Sequence, residues 1–144
     1  MRTVTRTIFT IDEANQMLPL VSSVVRDLVS EFRILRAAGR ERRALEVERS
    51  DHAGCDPRIE QLRDDVADLS SRIEGYLQEL ADLGVEVRDL ELGLVDFPTL
   101  IDGEPAYLSW RQGEERVCWW HPADRGFSDR TPVPVPGGRS PLSA

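Results

Sequence analysis

At 144 residues the chain has room for one domain with one core. Its net charge of −8 argues against non-specific nucleic-acid binding, which needs a concentrated positive surface. No apolar run approaches the roughly 20 residues of a membrane span, and the N-terminus lacks the apolar core of a secretory signal. A cytoplasmic protein without a membrane partner is therefore expected. All 18 basic residues are arginine, which removes lysine-based covalent chemistry, and two cysteines are too few for a disulfide scaffold.

In chain order, Val4, Ile8 and Phe9 make a short edge strand or an extended arm. Thr10-Ile11-Asp12-Glu13 then reads as a capping box: the Thr10 hydroxyl can accept from the Glu13 N–H, and the Glu13 carboxylate from the Thr10 N–H. Pro19 removes a backbone donor, so a short helix over residues 11–17 is expected, then a bend with Pro19 in the first turn of a long helix. Leu18, Val21, Val25, Leu28, Phe32 and Leu35 form a heptad seam. A second seam runs through Ile59, Leu62, Val66, Leu69, Ile73, Tyr76, Leu80 and Leu83. Matched antiparallel in one register, Leu18 meets Leu83, Val25 meets Tyr76 and Leu35 meets Val66. That register puts the bend near Ser50, where Ser50, Asp51, Gly54, Asp56 and Pro57 independently supply turn and capping chemistry. Gly39 and Arg42 weaken the seam toward this tip.

Gly84 suits the residue just past a helix end. Val85 and Val87 then alternate on one parity and Leu90, Leu92 and Leu94 on the other, which predicts one strand with a bulge or a bend at Arg88-Asp89, ended by Phe97-Pro98. Asp102-Gly103 predicts a tight turn into a strand over residues 106–111, and Gln112-Gly113-Glu114 a turn into a last strand over 115–121. The expected fold is α+β: a long antiparallel two-helix coiled-coil hairpin (10–83) packed at its base on a small three-stranded antiparallel sheet (84–122). Residues 1–130 form the single domain. Phe127 anchors a wrapping segment over 124–130, and 131–144, rich in Pro, Gly and Ser, is a disordered tail.

The motifs L-E-L-G-L-V-D-F-P over residues 90–98, Trp110 with Gly113-Glu114, Trp120-His121, Gly126-Phe127 and Arg130 stand with the opening Thr10, Glu13, Ala14, Asn15, Leu18 and Pro19. Together they resemble an uncharacterised bacterial domain-of-unknown-function family over roughly residues 7 to 133. The resemblance implies a helical hairpin plus a small sheet, and no activity, cofactor or functional residue.

Two constellations invite chemistry. His52 and Cys55 with Cys118 and His121 make a Cys₂His₂ set on paper, but the hairpin separates the two halves by roughly 40 Å at 1.5 Å per helical residue, so no metal site and no disulfide is expected. Asp89, Glu91, Asp96 and His121, with Arg111, Arg125 and Arg130 near, could bind a divalent ion or act as acid and base; the plainer reading has the aspartates serving bends and His121 bonded inside the sheet. Tyr107, Trp110, Trp119 and Trp120 divide between the two sheet faces by alternation, and an exposed aromatic face would mark a partner or ligand site.

The candidate ligand or partner residues are therefore Asp89, Asp96, Tyr107, Trp110, Arg111, Trp120, His121 and Arg130, with no catalytic residue and no cofactor assigned. The leading expectation is a non-enzymatic protein–protein interaction module that self-associates, because half-buried hairpins commonly pair into four-helix arrangements. A small metal-dependent hydrolase or ligand-binding protein centred on Asp89, Asp96 and His121 is the alternative. A third reading, by analogy alone, is an accessory factor inserting its hairpin into a larger machine such as RNA polymerase.

Overall fold

A computed structural model describes residues 7–49 and 54–134, which form two helices followed by an antiparallel sheet. Helix α1 spans Ile11–Glu48 and α2 Pro57–Asp82; the strands are β1 (Glu86–Asp89), β2 (Leu94–Ile101), β3 (Glu104–Arg111), β4 (Trp119–Pro122) and β5 (Thr131–Pro132). Each strand pairs antiparallel with the next, in spatial order β1-β2-β3-β4-β5. The sheet has five strands where alternation predicts three.

The capping box is formed: the Thr10 N–H donates to Glu13 Oε1 at 2.9 Å and the Glu13 N–H to Thr10 Oγ1 at 3.1 Å. The predicted bend at Pro19 is absent, and α1 runs through it unbroken. Pro19 is exposed, and the turns on either side of it are fixed by the cap and by the core contacts of Ala14, Leu18 and Val21. Glu31 pairs with Arg72 at 3.0 Å and Glu41 with Arg58 at 2.9 Å, so the helices run antiparallel. The bend near Ser50 and Asp51 lies outside the described residues, as does His52. Past it, Asp56 caps α2 through the Arg58 N–H at 2.9 Å, with Pro57 in the first turn. Helix α2 closes in a Schellman motif: the Gly84 N–H reaches the Ala81 carbonyl, and the Val85 N–H the Leu80 carbonyl. Gly84 has φ +87°, and a Cβ there would stand 2.7 Å from the Thr7 Cβ of the N-terminal arm.

The single strand predicted across residues 85–97 is instead the hairpin β1–β2. The bulge is present, between Val87 and Asp89, but the chain then turns back. Asp89 Oδ1 accepts from the N–H groups of Glu91 and Leu92, and Gly93 takes φ +67°. Leu90 and Leu92, taken from their parity as strand residues, belong to this turn. Strand β2 also continues through Pro98 to Ile101. A strand residue points its N–H and C=O to the same side, and the Pro98 carbonyl faces away from β3, accepting from the Phe9 N–H at 2.8 Å. Pro98 thus owes β3 no donor, and the arm covers the side of β2 that β1 leaves open. The Thr99 hydroxyl fixes the arm by donating to the Phe9 carbonyl at 2.6 Å. Asp102 (φ 52°) and Gly103 (φ 78°) make the expected two-residue turn.

The last strand predicted over 115–121 is cut to Trp119–Pro122, because Val117 pairs with a side chain instead of with β3. The Val117 N–H donates to Asn15 Oδ1 at 2.8 Å, and Asn15 Nδ2 donates to the Val117 carbonyl at 3.0 Å, so one amide on α1 stands in for a neighbouring strand. Thr131 and Pro132, expected in the tail, form β5 against Trp120 and Trp119. The remaining tail, 135–144, lies outside the described residues.

One buried cluster joins these layers: Val21, Val25 and Leu28 from α1, Ile73 and Leu80 from α2, and Val95, Phe97, Leu108 and Trp110 from the sheet. The last buried residue of α1 is Val29; beyond it Phe32 and Leu35 are half-buried, Ile59 and Leu62 at the start of α2 stay buried, and ion pairs such as Glu46–Arg63 and Arg49–Asp56 stand around them.

Candidate functional site

Alternation along β2 decides what the sheet's outer face carries. Val95 and Phe97 enter the core, so Asp96 between them points the other way, opposite Ser109 on β3. Tyr107 on β3 stands opposite His121 on β4, their rings 5.6 Å apart. Arg88, beside the β1 bulge, reaches the same place.

Asp96 is the centre of this cluster, and it is only 2% exposed. Its Oδ2 accepts from Arg88 Nε at 2.8 Å and lies 3.1 Å from His121 Nε2. Among the described residues its buried Oδ1 has no partner, and neither has the buried Ser109 hydroxyl across the strand. A buried polar atom left without a partner costs about 1–3 kcal/mol, which makes these two atoms the costly ones of the cluster. His121 Nδ1 faces its neighbour's carbonyl, that of Pro122, at 2.9 Å and meets it as a donor. Nε2 faces the Asp96 carboxylate oxygen Oδ2 at 3.1 Å. Both ring nitrogens are thereby engaged within the protein, and neither is presented to an incoming molecule.

Arg88 extends from the pair to the surface, with Nη2 on Glu86 Oε1 at 3.1 Å and its guanidinium 4.8 Å from the Tyr107 ring centre. Burial alone would lower its pKa. The hydrogen bond to Asp96 and the charges of Asp96 and Glu86 outweigh that and hold it above the ordinary guanidinium value. A group stabilised in this direction loses its contribution only as pH rises through the folded value, so Arg88 stays charged across the whole working range.

Above the cluster opens a cleft of about 320 Å³, walled by Leu94, Ala123, Asp124, Arg125 and Phe127, with Asp96, His121 and Arg88 also lining it. The segment forming its rim is a single 3-10 turn over Phe127–Asp129. It is held by Arg130, whose guanidinium lies 4.5 Å from the Phe127 ring centre and 5.0 Å from that of Trp119, while Nη2 donates to Glu114 Oε2 at 2.6 Å.

Of the residues singled out from sequence, the fold brings Asp96, Tyr107 and His121 together and sets Arg130 as the strut of the rim. Asp89 is committed to its turn, Trp110 is buried in the core with its indole N–H on the Glu114 carbonyl, and Trp120 packs against that core. Arg111 is exposed, its N–H held by Glu114 Oε1. Arg88, Ser109 and Glu114 were not singled out. The pleat offered one signal for Arg88, since it and Glu86 share a parity with a bulge beside them. Among the described residues no three histidine, cysteine or carboxylate side chains converge as metal ligands. Cys55 and Cys118 are free thiols, Cys55 in a cleft with Glu46, Arg49 and Arg63 just before α2 and Cys118 beside the sheet, its carbonyl accepting from the Val133 N–H.

The family described as "Uncharacterized conserved protein (DUF2203)" matches residues 7–133. The chain belongs to that family. The match begins at Thr7 of the arm and ends at Val133, so the DUF2203 unit takes in both helices, all five strands and the cleft. No curated protein and no solved structure matches this DUF2203 chain. None of its helices is long and apolar enough to cross a membrane, among the described residues.

Proposed function

We propose that this DUF2203 protein is a non-enzymatic interaction module of the bacterial cytoplasm, a two-helix coiled coil projecting from a small sheet whose outer cleft is the binding face, and that it works as a homodimer. The observation that carries the binding reading is Asp96 Oδ1, a buried carboxylate oxygen without a partner among the described residues, on a residue that lines a cleft. Arg88 and His121 already engage Oδ2 and Arg88 balances its charge, so Oδ1 suits a hydrogen-bond donor such as an amide, a hydroxyl or a guanidinium, while Leu94 and Phe127 take an apolar neighbour. The non-enzymatic part is supported by His121, which has no ring nitrogen left to exchange a proton with a substrate.

The test is an NMR titration of the full chain with two small donors, acetamide and methylguanidinium, following the Asp96 carboxyl carbon. A saturable shift there, accompanied by shifts at Leu94 and Phe127, is expected. Titrations in which neither probe moves Asp96 would overturn the assignment of this cleft.

A further inference from the structure

The two helices share their charges unevenly. In α1, Arg26, Arg33 and Arg40 each follow a seam position, as do Arg36 and Arg43, so these five arginines occupy one exposed flank. Only Arg36 has a carboxylate partner among the described residues, Glu91 of the β1–β2 turn. In α2 the arginines are Arg58, Arg63 and Arg72, and all three are paired with Glu41, Glu46 and Glu31 of α1. Those pairs consume carboxylates of α1 and every arginine of α2. What is left over is of one sign on each exposed face: arginines on the flank of α1, and Asp64, Asp68 and Glu74 on α2, none of them with a cation within reach among the described residues. The remaining acids of α1's middle and end, Asp27 and Glu48, lie on its other side.

From these leftovers we infer that the homodimer forms by docking the arginine flank of α1 on the acidic outer face of α2 in a second copy, each chain giving and receiving once around a two-fold axis. The spans agree: Arg33 to Arg43 and Asp64 to Glu74 each cover about 15 Å of helix at 1.5 Å per residue. The acidic face is also shallow. Ala67, Ser71 and Gly75 lie between the acids, and a Cβ on Gly75 would meet nothing within 4 Å, so no contact inside this chain calls for a glycine in mid-helix. A helix laid across that face would. On the α1 side, the half-buried Phe32 and the exposed Leu92 floor a notch between Arg33, Arg36 and Arg40, which gives the contact an apolar centre inside its charged rim. This inference rests on the homodimer part of the proposed function and stands apart from the cleft, whose titration reads a different face.

The experiment uses the full chain and sedimentation velocity. Wild type is expected to dimerise at about 50 mM salt and to weaken at least about 10-fold at about 500 mM, where the screening length falls below the reach of these pairs. Arg33→Glu with Arg40→Glu, and separately Asp64→Arg with Asp68→Arg, are expected to give monomers with wild-type circular dichroism, since all four side chains are exposed. An equimolar mixture of the two variants is expected to restore a heterodimer, which no folding defect could do. Overturning results are a wild type that stays monomeric up to about 0.1 mM at low salt, variants that dimerise unchanged, or a mixture that stays monomeric. A monomeric wild type that binds polyglutamate through the arginine flank would replace the second copy with an acidic partner.

Discussion

Asn15 permits a sharp test of how the helices and sheet are joined. Its side chain amide makes two hydrogen bonds to the backbone of Val117, at 2.8 and 3.0 Å, and Val117 is completely buried. Replacing Asn15 with Ala leaves the Val117 N–H and carbonyl with no partner and no path to water. Each orphaned group costs about 1–3 kcal/mol, and relaxation of the 114–118 segment recovers part of the sum, so Asn15→Ala is expected to cost about 2–4 kcal/mol. For a chain of this size that is a fall in Tm of roughly 5–15 °C. Asn15→Asp separates the two bonds. It keeps an acceptor for the Val117 N–H but turns a carboxylate oxygen toward the carbonyls of Val117 and Ile11, so it is expected to cost at least as much as Ala. Urea unfolding followed by circular dichroism gives the free energies, and native-state hydrogen exchange reports on the Val117 amide directly. A cost under about 0.5 kcal/mol for Asn15→Ala, or a Val117 amide whose protection does not change, would refute the view that this one side chain replaces a strand.

Three further substitutions probe other joints. Pro19→Ala, at an exposed position inside a continuous helix, is expected to raise stability by about 1–3 kcal/mol in the same urea assay, and a loss would show that the proline is needed where it stands. Gly84→Ala meets both a left-handed backbone and the Thr7 side chain at 2.7 Å, so it is expected to cost about 1–2 kcal/mol; adding Thr7→Gly should return the steric share while the φ penalty remains. Arg130→Ala removes a guanidinium held between two rings and bonded to Glu114, with an expected cost of about 2–3 kcal/mol and loss of rigidity in the 3-10 turn by amide exchange, whereas Arg130→Lys, lacking the planar stack, should recover under half of it.

How far the fold could be read from sequence varies from residue to residue for physical reasons. Helix ends were legible because their chemistry is local: Thr10 with Glu13, Asp56 with Pro57, and Gly84 each declare themselves within four positions. Much of the buried face of each helix was legible because its apolar residues recur at helical spacing: Leu18, Val21, Val25 and Leu28 in α1, and Ile59, Leu62, Leu69, Ile73 and Leu80 in α2. The strands were harder. Leu90 and Leu92 keep a strand's parity while belonging to a turn that Asp89 holds by its side chain, and nothing in the alternation distinguishes the two. Pro98 looked like a stop because its harmless orientation depends on the arm at Phe9. Strand β5 is two residues long, below the length at which any period is visible. In the candidate site, Asp96, Tyr107 and His121 stood out by residue type. Arg88 and Ser109 did not, since an arginine or serine on a strand ordinarily means only a wet surface, and their significance arises from register across three strands.

The clasp between residues 15 and 117 spans 102 positions, and the arm at Phe9 waits in the same way for Pro98 and Thr99. On the ribosome, therefore, both helices leave the exit tunnel well before the sheet that covers their base exists. The nascent chain must hold Val21, Val25 and Leu28 without their final neighbours until the last third has been synthesised, an interval in which holding chaperones would find a target. Truncation before β4 should accordingly leave an aggregation-prone helical fragment and not a smaller folded domain.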